Sequence, residues 1–386
     1  MNIFVHIRNN HQQWGGDLTV IRALERGLSE IGVEVMLGSD LEKGLDFQHL
    51  FLTNTCTDKR GEAEFLKNHN KQYAMLTFHE DFLHYFSSAM GFVKCVEAII
   101  KGEDLGGIPI TLDRLANIPS LCSYFGLPPA RNGIQNSEVL ADASISLPSS
   151  EFEERTILRD SPRAKTKVWL APTGLVHEWA VGDRLAFSDF CRLRSPYILQ
   201  VGRLETRKNQ LSTVLACADL PIELVFVCTK GYQPWYEKLL VQAVLKYRKY
   251  PTVIVSENIS SQQAGLLRIV QMPNGKKLSS ELLQSAYLGA AVNAHPAFYE
   301  LPGLTYLESV VCGVQTICSR WTSISEYLVD DDFGSGVHYI DPRSIMELRN
   351  ALISSIYDPQ KVTAKALNVT PRRYAEQIVS SLLKFN

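Results

Sequence analysis

At 386 residues the chain has room for two domains with full cores, and 45% hydrophobic with 21% charged residues is the balance of a soluble globular protein. A formal net charge of −2 excludes any general attraction to nucleic acid or to anionic lipid. The eight cysteines (Cys56, Cys95, Cys122, Cys191, Cys217, Cys228, Cys312, Cys318) are scattered without a CxxC pair, which favours buried free thiols in a reducing compartment over a disulfide frame or a zinc site.

The N-terminal apolar run is too short for a signal peptide, and no stretch approaches the roughly 18 apolar residues of a membrane span. The expectation is a cytoplasmic protein, with peripheral contact at the inner face of a membrane left open. In chain order, a strand at 2–7 leads through a polar loop to a helix from Asp17 to about Ile31, ended by Gly32, and then to a strand at 33–37. Short apolar runs follow at 49–53 and 72–78, with a helical stretch at 59–68 between them. Strands alternating with helices at this spacing predict parallel βαβ units. Residues 81–140 are less regular, with helices predicted around 82–100 and 112–125 and a turn-rich stretch at 128–133. Strands at 143–147 and 167–170 close the first half, and the aperiodic stretch 171–195, containing Pro172 and Gly174, reads as a linker.

A second βα series begins near Pro196, with strands predicted at 197–201, 223–227, 252–255, 290–294 and 314–318. Helices are expected at about 207–218, 233–248, 279–288, 303–312 and 343–357, and a last one at 371–385. No repeat or low-complexity tract interrupts the series. The predicted fold class is α/β, with two doubly wound, Rossmann-like parallel-sheet domains facing across a cleft where a ligand can meet the strand ends of both.

The most informative stretch is His295-Pro-Ala-Phe-Tyr-Glu300-Leu-Pro-Gly303-Leu-Thr-Tyr-Leu-Glu308. It follows a buried strand and enters a helix, with Pro302 and Gly303 at the turn. Proline suits a first helical turn, and free N–H groups there make a site for phosphate. Glu300 and Glu308 can accept hydrogen bonds from sugar hydroxyls beside that phosphate, so the stretch suits a sugar nucleotide. In Val201-Gly-Arg-Leu-Glu-Thr-Arg-Lys208-Asn209, Arg203 leaves a strand end and Lys208 starts a helix. Two such cations can hold a diphosphate, Arg as a fork and Lys as a point charge, or else lie in a solvated loop.

Gly15 and Gly16, between the first strand and helix, allow close approach of an anion, or form a tight turn with Asp17 as N-cap. The segment is not GxGxxG, so the dinucleotide fingerprint is absent. His79 ends a predicted strand; it can reach a sugar hydroxyl or move a proton in the cleft, or cap the following helix. Asp330-Asp-Asp332 reads as a solvated acidic turn rather than a metal cluster. Arg155, Arg159, Arg163, Lys165 and Lys167 form a basic run that is either a solvated face or a surface for lipid headgroups. No Ser-His-Asp order, HExxH or P-loop is present.

Together, Arg203 and Lys208, the Glu300–Glu308 pair and the following Gly313-Val-Gln-Thr-Ile-Cys resemble the retaining glycosyltransferases of the GT4 family, which have the GT-B fold. The match is good over 197–342; in the first half only Gly15, Gly16, the run ending at Val35 and His79 correspond. Thr173 and Pro302 stand where the family usually has asparagine and phenylalanine. The resemblance implies that Arg203 and Lys208 neutralise the donor diphosphate, Glu308 binds ribose, Glu300 holds the donor sugar, and Gly303 and Leu304 offer backbone N–H groups. It implies that Gly16 admits the diphosphate, that His79 contacts the sugar, and that no metal or other cofactor is needed. Residues 1–175 would form the acceptor-side domain, 190–370 the nucleotide-sugar domain, and 371–386 would pack back on the first.

The implied reaction is sugar transfer with retention from a donor such as a UDP- or GDP-sugar to a glycan or lipid-linked acceptor, with attack on the face from which the diphosphate leaves. A sugar-nucleotide epimerase on the same fold, a Rossmann oxidoreductase and a non-catalytic sugar-nucleotide-binding protein are the alternatives.

Overall fold

The computed structural model describes residues 1–7, 16–102, 136–169, 182–194, 196–229, 233–257, 262–273, 278–301, 303–328, 336–360, 362 and 371–382. Gly15, the predicted helix at 112–125, Thr173, Gly174, Pro302 and Asp330–Asp332 lie outside these described residues, as does the strand end at Leu170.

The first lobe is one parallel sheet with strand order β2-β1-β3-β4-β5. Its strands are β1 (Asn2–His6), β2 (Glu34–Gly38), β3 (His49–Thr53), β4 (Ala74–Leu76) and β5 (Ser146–Leu147). Its helices are α1 (Gly16–Glu30), α2 (Leu41–Gly44), α3 (Arg60–Asn68), α4 (Phe82–Lys101), α5 (Ser137–Asp142) and α6 (Glu151–Asp160). Instead of a strand at 167–170, the described part of this segment makes a single bridge, Ser146 with Thr166. Ser150 and Glu153 show why α6 starts where it does: the serine hydroxyl accepts the Glu153 N–H at 3.0 Å.

The second lobe is an eight-stranded sheet with order β13-β12-β11-β6-β7-β8-β10-β9. Its strands are β6 (Tyr197–Val201), β7 (Glu223–Cys228), β8 (Thr252–Ser256), β9 (Gln262–Ala264), β10 (Leu267–Gln271), β11 (Ala290–His295), β12 (Gln315–Ser319) and β13 (Val337–Ile340). All pairs are parallel except β9–β10. Its helices are α7 (Ala186–Cys191), α8 (Gln210–Ala216), α9 (Pro234–Tyr247), α10 (Ser280–Gly289), α11 (Leu304–Val311) and α12 (Ile345–Tyr357). Every residue of β6, β7 and β8 is buried, which is why these strands read as mostly apolar runs. The outer strands β9, β10 and β13 escaped the sequence reading because they carry polar residues: β10 and β13 only half-bury, and Gln263 and Ala264 of β9 are exposed. The helix expected at 207–218 is split: Thr206–Lys208 is a 3-10 turn, and Asn209, left-handed at φ 56°, separates it from α8.

Two helices cross between lobes. The last, α13 (Pro371–Leu382), sends Tyr374, Ala375, Ile378 and Leu382 into the core around β1 and α1. In the other direction, α4 leaves the first lobe and puts Phe92, Val93 and Val96 into the main core of the second, with Phe92 edge-on to Phe298. Helix α4 thus lies in the first half of the sequence and packs with the second lobe. The segment expected as an aperiodic linker also holds α7, whose Phe187 N–H donates to Ser285 Oγ of α10.

Candidate functional site

Each sheet reverses its strand order at one place. In the second lobe β6 lies between β7 and β11, and in the first β1 lies between β2 and β3. Chains leaving adjacent strands on opposite sides of such a point open a crevice beyond their C-terminal ends. Arg203 and Lys208 follow β6, and Glu300 follows β11, so the second-lobe residues meet at this crevice.

The loop after β6 is held rigidly. Gln200 Nε2 donates to Lys208 O at 2.8 Å, Gln210 Nε2 to Arg203 O at 2.8 Å, and Asn209 Nδ2 to Pro296 O and Pro342 O at 3.0 and 2.7 Å. Gly202, at φ +152°, is needed because a Cβ there would stand 3.3 Å from His295 Cε1 and 3.5 Å from Lys208 Cδ. The Lys208 ammonium, buried, donates to Glu300 Oε1. His295, fully buried at the end of β11, places Nε2 3.4 Å from the same oxygen. Arg207 brings Nη1 to 3.8 Å from Glu300 Oε2 and Nη2 to 2.9 Å from Glu205 Oε1. Arg203 stands 3.6 Å from Glu205 Oε1, its side chain 35% exposed.

Charge follows from this packing. Burial pushes the Glu300 carboxyl up, but Lys208 and Arg207 outweigh it and hold the group well below the usual carboxylate range. Burial lowers the Lys208 ammonium against the opposing pull of Glu300. Burial also lowers the His295 imidazole, against the opposing hydrogen bond with Glu300. Glu308, on the second turn of α11, is raised by burial to about 7, with Tyr287 opposing the shift by donating its hydroxyl to Oε2 at 2.8 Å.

Gly303 precedes α11 in the left-handed conformation, φ 78° and ψ 61°. A Cβ there would lie 2.6 Å from the Tyr306 ring, so only glycine makes this turn unstrained. In the first turn the Tyr306 N–H donates back to Gly303 O at 3.0 Å, while those of Leu304 and Thr305 have no acceptor within the helix itself. Leu304 packs against the first-lobe core, and a Cβ on Gly16 would sit 3.8 Å from Leu304 Cδ1. The start of α1 and the start of α11 thus face each other at contact distance.

Lys208 and Glu300 are in direct contact, Arg203 joins them through Glu205, and Gly16 meets Leu304 beside Gly303. His79 is placed differently from the expectation. Its imidazole is buried behind the mouth of the cleft, with Nδ1 2.9 Å from Thr55 Oγ1 and Nε2 2.9 Å from Asp160 Oδ2. Both ring nitrogens are engaged within the first lobe. The basic run is also partly internal: Arg159 bonds Asp81 at 2.9 Å and Asp160 at 2.8 Å, while Arg155 lies 6.0 Å over the Phe152 ring.

Sequence reasoning missed Arg207, Glu205, Glu80 and His295. Arg207 and Glu205 sat inside the quoted 201–209 segment, and His295 opened the quoted 295–308 segment; the available signal was that Glu205 and Arg207 lie in the segment that follows β6 and that His295 ends β11. Among the described residues no group of His, Cys, Asp and Glu is arranged to hold a metal ion. Among them, too, no helix is long and apolar enough to cross a membrane.

No protein-family model matches the chain. It is 26% identical over 165 residues to the O-antigen chain mannosyltransferase B of Escherichia coli, covering 42% of this chain and 37% of that protein. It is 26% identical over 207 residues to sucrose synthase 1 of Oryza sativa subsp. japonica, covering 52% of this chain and 23% of that protein. The matches thus span well under half the length of these relatives. Among solved structures, a sucrose-phosphate synthase from Thermosynechococcus elongatus aligns with TM-score 0.63 at 16% identity, over 99% of this chain and 94% of that one. Trehalose-6-phosphate synthase OtsA aligns with TM-score 0.58 at 12% identity over 99% of both chains. Anabaena HepE in complex with UDP aligns with TM-score 0.53 at 13% identity, over 100% of this chain and 97% of that one. The likeness shows the fold: it is GT-B, two Rossmann-like lobes facing across a cleft.

Proposed function

We propose that this protein is a retaining glycosyltransferase of the GT4 type, moving a sugar from a nucleotide-sugar donor such as a UDP- or GDP-sugar to an acceptor hydroxyl in glycan or glycolipid assembly. The observation that carries the reading is the meeting of Arg203, Lys208 and Glu300 at the second-lobe switch point, opposite Gly16 of the first lobe. The names of its relatives support it: one is a mannosyltransferase, one a sucrose synthase, and one similar structure holds UDP.

The chemistry asks for charge stabilisation at a departing diphosphate while positive charge builds on the sugar ring. Arg203, Lys208 and the N–H groups at the start of α11 are prearranged for the first task, and such fixed electrostatic stabilisation usually contributes most to the rate. Glu300, kept ionised by its cations, accepts hydrogen bonds from the sugar hydroxyls, and Glu308 does so from the ribose. The bond from the anomeric carbon to the phosphate oxygen breaks, the acceptor oxygen bonds to that carbon on the same face, and the acceptor proton passes to the departing phosphate. Charge is balanced by protein cations, so the reading needs no metal. The acceptor is a glycan or a lipid-linked intermediate, with the exposed part of the 155–167 basic run as the face for peripheral membrane contact and the cytoplasm as the site of action.

The test is a thermal-shift panel of UDP, GDP, ADP, dTDP and CMP without added metal, followed by transfer of labelled sugar from the matching donor. A ligand that binds only the native state raises the unfolding temperature. A selective shift with one base and retained anomeric configuration in the product are the expected results. No shift with any nucleotide would overturn the reading.

A further inference from the structure

The chain crosses from the first lobe to the second at residues 79–81, and this crossing passes directly over the site. On its upstream side the His79 backbone is clamped: its N–H donates to Glu153 Oε1 at 2.6 Å, and its carbonyl accepts the Tyr299 hydroxyl at 2.8 Å. On its downstream side α4 is locked into the second-lobe core. Between the anchors stands Glu80, its side chain 23% exposed and its Oε1 3.8 Å from Arg207 Nη1.

Arg207 is 15% exposed, and the same Nη1 lies 3.8 Å from Glu300 Oε2 and 3.4 Å from Tyr299 O. Three carboxylates, Glu80, Glu205 and Glu300, thus gather on one guanidinium, and one of them comes from the first half of the chain. The guanidinium is planar with its donors in a fixed fork, so the partner on one edge constrains what the other edge can hold. The arrangement is costly. Burial raises the Glu80 carboxyl, Arg207 opposes the rise, and Glu205 and Glu300 add to it. Crowded, desolvated carboxylates of this kind are poor devices for stability and typical of working sites.

We propose that Glu80 is a positioning residue for the sugar end of the donor site: it holds Arg207, and through Arg207 it orients the Glu300 carboxylate, so that this end of the site is completed from the first half of the chain. The inference rests on the reading of the cleft as a sugar-nucleotide site. It separates the two ends of the donor. Arg203, Lys208 and Glu308 serve the nucleotide end without Glu80; Glu300 serves the sugar end with it.

The experiment compares wild type, Glu80→Gln, Arg207→Gln and the double variant. The readouts are affinity for the nucleoside diphosphate found in the panel, affinity for the corresponding nucleotide sugar, kcat, and thermal unfolding. Glu80→Gln is expected to leave diphosphate affinity unchanged, to reduce the advantage of the nucleotide sugar over the diphosphate, and to lower kcat by about tenfold. The double variant is expected to be no slower than Arg207→Gln alone, the non-additivity of residues acting through one another. Losses that multiply in the double variant, or a Glu80→Gln protein with wild-type kcat and only a lowered unfolding temperature, would overturn the proposal. If wild type binds no nucleotide, the functional reading itself fails. The Glu80–Arg207 link is then judged by unfolding alone, where additive losses of stability in the four-protein cycle would dispose of it.

Discussion

At the scale of single residues, Arg203 and Glu308 make opposite electrostatic demands. Arg203 is the most exposed cation of the second-lobe cluster of Arg203, Arg207 and Lys208. A charge-assisted hydrogen bond contributes about 1.5–3 kcal/mol. Arg203→Ala should therefore lower kcat/KM by about tenfold or more, since about 1.4 kcal/mol is a factor of ten. An unchanged kcat/KM in a protein with the wild-type unfolding temperature would remove Arg203 from the mechanism. Glu308 carries a pH signature. Its carboxyl keeps its proton up to about 7 in the native protein, against an ordinary value of 4.5. Between those values the folded state binds more protons than the unfolded one, so this group's stabilisation is complete below 4.5 and is lost as pH rises through about 7. Glu308→Gln should flatten that decline, read as unfolding temperature against pH. Ribose hydroxyls donating to the ionised form would favour it, so nucleotide affinity in wild type should rise with pH across the same window, and the rise should vanish in the variant.

At the scale of elements, glycines decide which helices can meet. In α1, Gly27 lies under the start of α13, and a Cβ there would stand 2.2 Å from Pro371 O and 2.4 Å from Pro371 C. Replacing an interior helical glycine with alanine ordinarily gains up to about 1 kcal/mol of helix propensity. Here the sign should reverse, because backbone must move and the contacts of Tyr374 and Ile378 with the first-lobe core move with it. Gly27→Ala is expected to lower the unfolding temperature and to expose the C-terminal helix to limited proteolysis. A variant as stable and as protease-resistant as wild type would show that α13 is not docked there. The site turn obeys the same logic at Gly303, where a side chain would strike Tyr306 and push on the Glu300 Cβ, 3.3 Å away.

At the scale of the whole molecule, the exchange of α4 and α13 means that neither lobe completes its core from its own half of the sequence. Other contacts tie the halves on the same side. The Glu326 carboxylate accepts the Glu151 and Phe152 N–H groups at the start of α6, and the Tyr327 hydroxyl donates to Ser149 O. Calorimetry should show one thermal transition whose calorimetric and van't Hoff enthalpies agree, despite a size at which two-domain proteins often show two. Two separate transitions would mean that the lobes are energetically independent and that the crossing helices contribute little.

Reading the sequence alone was enough for the alternation of buried strands with amphipathic helices, because burial on both faces of a parallel sheet leaves mostly apolar runs such as 197–201 and 252–255. It was enough, too, to place Arg203 and Lys208 in the segment after β6 and Gly303 just before α11, because cations after a strand and a glycine before a helix are local signals. Tertiary structure decided the rest. Which groups His79 and Arg207 meet depends on partners 74 and 93 residues away, Glu153 for His79 and Glu300 for Arg207. The destination of α4 could not be read from its own residues, since an apolar helix face fits either core. Periodicity fixes which face of an element is buried; only the packed chain decides against what.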